Sequence, residues 1–95
     1  GPKGIAFSAV DNSLYIVDTE NHVIRRLALN TGLIDTVLGT GEVGDGPDGD
    51  PLGCSLNRPH GVCVHNSVVY VTDSENHRIR AITGLVNRPA RQDQV

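Results

Sequence analysis

Apolar residues in this chain come in short runs, and the polar residues between them are the ones that favour tight turns. Residues 4–7, 14–17, 23–29 and 33–38 read as four strands, rich in Val, Ile and Leu. Asp11-Asn12, Thr19-Glu20-Asn21 and Asn30-Thr31-Gly32 separate them, since Asp and Asn side chains bond nearby backbone and tolerate left-handed conformations. The second half repeats the scheme at residues 61–64, 68–72 and 78–83. A further strand can begin at Leu85, but Pro89 has no amide hydrogen and weakens it. No segment carries a helical period, so the chain reads as all-β.

The two halves are copies. Tyr15 to Arg25 returns as Tyr70 to Arg80 with seven of the eleven positions identical. Pro2-Lys3-Gly4-Ile5 likewise matches Pro59-His60-Gly61-Val62. Four antiparallel strands in about forty residues is the size of a propeller blade. The expected organisation is a single module over residues 1–95: blade one at about 2–39, a glycine-rich linker at 40–58, blade two at 59–88 and a polar tail at 89–95. The tail, with Pro89 and two arginines, resembles the devices that protect an exposed sheet edge.

Composition narrows the picture. The net charge of −3 supplies no basic field, which weighs against a dedicated nucleic-acid binder. No apolar run approaches the roughly 18 residues of a membrane span. Tryptophan and methionine are absent, so apolar cover comes from aliphatic residues in strands packed on both faces. Cys63 stands where the first copy has Ala6, which predicts a small buried thiol.

One polar constellation recurs: Asp18, Asn21, His22 and Arg25, then Asp73, Asn76, His77 and Arg80. Asp with His suggests acid–base chemistry or metal ligation. Repetition favours a structural role, because a fold needs the set in each blade and a catalytic site needs it once. In that role the aspartate accepts turn amides and pairs with the arginine, asparagine takes the left-handed position, and histidine bonds backbone. Each of Asp18→Ala and Asp73→Ala is then expected to cost about 1–3 kcal/mol. Ala81 stands at the Arg26 position of the second copy, which predicts that Arg26 is dispensable.

The Asp-Thr/Ser-Glu-Asn-His-x-Ile-Arg pattern resembles the NHL repeat, although Val23 and Arg78 replace the usual leucine. Leu56-Asn57-Arg58-Pro59-His60-Gly61-Val62 is similar to that family's blade entry, and the glycines between 39 and 46 to its inter-blade linker. The resemblance implies four-stranded blades, typically six in a ring, the second one here with a weak outer strand. It implies no single activity, since the family holds interaction modules, RNA-binding domains and enzymes with metal sites in the central channel.

Candidate chemistry is otherwise sparse. Gly-x-Ser-x-Gly and His-Glu-x-x-His do not occur, and the expectation is no cofactor and no metal. Asp45, Asp48 and Asp50 lack the terminal bidentate glutamate of a calcium loop. Arg26, Arg78 and His60 are the candidates for contact with a protein partner. Arg25, Arg26, Arg78 and Arg80 together would form a patch for RNA, the alternative reading. His60 or His65 at the channel mouth would suit a metal-dependent lyase or hydrolase, the other alternative. Two stacked blades leave one apolar face of each uncovered, and repeat arrays need at least about three units for stability. The expected partner is therefore self, as a homotrimer closing a six-bladed ring, or the remaining blades of a longer chain. The Leu-Asn-Arg prefix of a blade entry does not precede Pro2, which fits the second option.

Overall fold

A computed structural model describes residues 2–85. Two antiparallel sheets face each other, and each is a simple meander. Blade one consists of β1 (Pro2–Ser8), β2 (Ser13–Asp18), β3 (Val23–Ala28) and β4 (Leu33–Leu38) in that order. Blade two consists of β5 (Val62–His65), β6 (Val68–Asp73) and β7 (Arg78–Thr83). These are the two propeller blades that the strand pattern calls for.

The period of two in each strand decides what meets what. On β2, Tyr15 and Val17 turn towards blade two and are fully buried, while Leu14 and Ile16 point the other way and are only half-buried. On β6 the sense reverses: Val69 and Val71 are buried against blade one, and Tyr70 faces out. Tyr15, Val17 and Ile24 pack with Val69, Val71 and Ile82, and Cys54 and Leu56 of the linker close the core. Burial pushes the Cys54 thiol up, which leaves it an unreactive filler. The inner strands lie so close that a Cβ on Gly4 would stand 2.8 Å from the His60 carbonyl oxygen.

The linker is ordered by its own bonds. Val43 bridges Leu56 in parallel, Gly46 bridges Ser55 antiparallel, and a 3-10 turn runs over Pro51–Gly53. Gly39, which opens it, has φ +104, and a Cβ there would stand 2.5 Å from the His22 carbonyl oxygen.

Two expectations need correction. Cys63 is exposed, because β5 turns it to the uncovered face of blade two. Leu85 does not begin a strand against β7; it is 1% exposed in the core, and its carbonyl accepts a bond from Arg26 at 2.9 Å. The proposed continuation of that strand from Val86 and the polar tail fall outside the described residues.

Candidate functional site

Both signature turns have the same build. Thr19–Asn21 and Ser74–Asn76 form single 3-10 turns, each ended by a histidine in the left-handed region, His22 at φ 57 and His77 at φ 56. The left-handed place therefore belongs to histidine, not to asparagine as the sequence suggests. Asparagine instead donates to the aspartate: Asn21 to Asp18 at 2.9 Å and Asn76 to Asp73 at 2.8 Å. The arginine of the next strand completes the set, Arg25 Nε reaching Asp18 at 3.0 Å and Arg80 Nε reaching Asp73 at 2.8 Å.

The two sets differ in what else they hold. Asp73 is fully buried and also accepts the Asn57 amide at 2.8 Å. Its partner Arg80 spreads further, to Asp45 at 2.7 Å and Asp48 at 2.6 Å. Asp18 is partly exposed and takes no backbone amide among the described residues. Neither aspartate caps its own turn, so the amide that matters comes from the linker.

The Asn21 amide and the Arg25 guanidinium hold the Asp18 carboxyl below the usual carboxylate range. A depressed folded value means that Asp18 stabilises the fold above the unfolded carboxylate pKa of about 4, and that this contribution fades as pH falls through the folded value. Thermal melts from neutral pH into acid should show a shallower acid loss in Asp18→Asn than in the wild type. Parallel curves would contradict the pairing.

The four arginines do not form a patch. Arg25 and Arg80 are engaged by the signature aspartates, and Arg78 pairs with Asp45 at 2.8 Å. Arg26 is 3% exposed, so it cannot serve a partner; it lies 3.8 Å from Asp11 and 4.0 Å from Asp35 and bonds the Leu85 carbonyl. The linker acids are used in the same way: Asp45 and Asp48 meet arginines, and Asp50 accepts the Leu52 amide. His60 is exposed beside β5, with its backbone amide on Thr72. Among the described residues no three His, Cys, Asp or Glu side chains come together as a metal group.

A cavity of about 610 Å³ follows the outer edge of β7, between that strand and linker residues Asp48, Pro51 and Cys54. The same edge of β3 in blade one is filled by β4.

Two meander sheets stacked through repeated turns define a protein built of propeller blades. The family model for the NHL repeat matches residues 56–82, the second blade with its entry segment. The second blade therefore carries an NHL repeat, and the first blade repeats its signature turn. The chain is 35% identical over 82 residues to Protein SUPPRESSOR OF QUENCHING 1, chloroplastic, of Arabidopsis thaliana, covering 82% of this chain and 8% of that protein. It is 29% identical over 83 residues to human NHL repeat-containing protein 2, covering 85% of this chain and 11% of that one. The chain thus spans about a tenth of the length of these relatives. Among solved structures, a protein of unknown function from Bacteroides thetaiotaomicron superposes with TM-score 0.76 at 28% identity, over 84% of this chain and 20% of that one. An auxiliary nutrient binding protein from the same organism superposes with TM-score 0.66 at 25% identity, over 82% of this chain and 21% of its own.

Proposed function

We propose that the chain is a non-enzymatic interaction and assembly module, a pair of blades whose two open faces are completed by further blades. One observation carries this reading: a row of apolar side chains crosses the whole open face of blade one. Phe7, Leu14, Leu27 and Ile34 stand in register on β1 to β4, and Phe7 and Ile34 are 55% and 54% exposed. Ile5 adds to it beside Phe7, and on the opposite end of the pair Ile79 is 72% exposed near Tyr70 and Cys63. Apolar surface arranged in this way marks an interface in a protein that stays in water. The nutrient-binding relative fits a binding role for such blades.

The two open faces are unlike each other and match the two that already meet. By the repeat, the Tyr70 face of blade two is the counterpart of the Tyr15 face, and the Leu14–Ile16 face of blade one is the counterpart of the Val69–Val71 face. Head-to-tail contact repeats the existing junction, and such contacts close into a ring when the rotation divides a full turn. With two blades per chain and six in a ring, three chains of 10.1 kDa each would close it. Light scattering on the purified chain should give the mass of three copies. A monodisperse monomer across concentration would overturn self-assembly, and a ring of any other number would overturn the trimer.

A further inference from the structure

At the junction between the blades, the two signature turns hold one segment from two sides. The turn of blade two holds the entry of its own blade: Asp73 accepts the Asn57 amide at 2.8 Å, and the Glu75 amide donates to the Asn57 carbonyl at 3.1 Å. The turn of blade one holds the entry of the next blade. The Thr19 hydroxyl donates to the Pro59 carbonyl at 2.7 Å, and the Arg58 amide donates to His22 Nδ1 at 3.0 Å. The Arg58 guanidinium reaches the Glu20 carboxylate at 3.4 Å. Segment 57–59 is thus gripped from both blades at once.

Blade two carries the residues of the second grip again. Ser74, Glu75 and His77 stand in the places of Thr19, Glu20 and His22, and His77 repeats the backbone angle of His22. Thr19 is fully buried under Pro59, whereas Glu75 and His77 are exposed and Ser74 is half-buried. No side-chain bond or ion pair engages these three among the described residues.

We propose that Ser74, Glu75 and His77 form a docking site for an Asn-Arg-Pro segment, the entry of a further blade, turned at its arginine as segment 57–59 is at Arg58, φ 50. This rests on the reading that further blades cover the open faces. The chemistry selects such a segment at three points. The Ser74 hydroxyl donates a hydrogen bond to the proline carbonyl, the Glu75 carboxylate pairs with the arginine, and Nδ1 of His77 accepts a hydrogen bond from the arginine amide.

The test is a titration of the isotope-labelled chain with the peptide Ser-Leu-Asn-Arg-Pro-His-Gly-Val, the sequence of residues 55–62, followed by amide NMR shifts. Millimolar peptide should shift the amides of residues 74–77 and of β6. The same peptide with alanine for arginine should bind about threefold more weakly, since the exposed pair with Glu75 is lost while both backbone bonds remain. His77→Asn, whose side chain tolerates the left-handed backbone, should weaken binding about fivefold while the rest of the spectrum stays folded. Absence of shifts at residues 74–77, or an equal response to the alanine peptide, overturns the grip. Solution mass separates this from self-assembly. If the chain is oligomeric and Ser74→Ala/His77→Asn responds to the peptide as the wild type does, the grip is wrong and assembly stands. A monomeric chain that still binds the peptide at residues 74–77 keeps the grip and ends the homotrimer.

Discussion

Asp73→Ala is expected to lower the stability of the chain by about 3–5 kcal/mol, the range found when one partner of a buried ion pair is removed. The carboxylate is fully buried and serves three donors from separate segments: the Asn57 amide, the Asn76 side chain and Arg80. Its loss leaves Arg80, 8% exposed, with only the more exposed Asp45 and Asp48. It also leaves the Asn57 amide without its acceptor, which loosens the blade entry that both turns grip. Since small domains are stable by only about 5–15 kcal/mol, the variant should be largely unfolded on warming. Asp18→Ala, in the matching place of blade one, should cost about 1 kcal/mol, because its carboxylate is partly exposed and holds no linker amide. Urea titrations of the two variants decide it. Equal losses would show that the linker amide and the burial of Asp73 contribute nothing.

The strands and the duplicated turn were legible in the sequence because both depend on local rules. Leu33–Leu38 and Arg78–Thr83 lie where the apolar runs place them, and the others differ by one or two residues at the ends. The aspartate–arginine pairs follow from the seven-residue separation of Asp18 from Arg25 and of Asp73 from Arg80, bridging adjacent strands across a short turn. What could not be read is long-range. His22 meets Arg58 across 36 residues, Thr19 meets Pro59 across 40, and Arg26 meets Leu85 across 59. No spacing rule connects such positions, so the grip on segment 57–59 appears only once the blades are stacked. The choice of histidine for the left-handed place has a similar cause. Asparagine is the residue expected there, but its amide is committed to the aspartate, and the left-handed turn aims the imidazole at the next blade's entry.

Arg26→Ala is also expected to cost about 3–5 kcal/mol, against the near-neutral effect that Ala81 in the second copy suggests. The comparison of copies misleads because Arg26 answers to residues that the second copy lacks as well. Asp11 reaches it from the turn between β1 and β2 and corresponds to Asn66; Asp35 lies opposite it on β4, whose counterpart does not pair with β7 among the described residues. Tyr15 shares the site, donating to Asp11 at 2.8 Å, and burial with the Asp11 bond pushes its phenol well above the usual range. Removing Arg26 leaves the Asp11 and Asp35 carboxylates in a poorly solvated place with no cation between them, and frees the Leu85 carbonyl that ties the end of blade two to blade one. The charge can be separated from the packing by a second change. Arg26→Ala/Asp35→Ala should recover part of the loss, since the repulsion between carboxylates is removed with the cation. Denaturant unfolding of the two single variants and the double variant measures this coupling. A single variant within about 0.5 kcal/mol of the wild type would restore the sequence-based expectation and show that Arg26 is a passive filler.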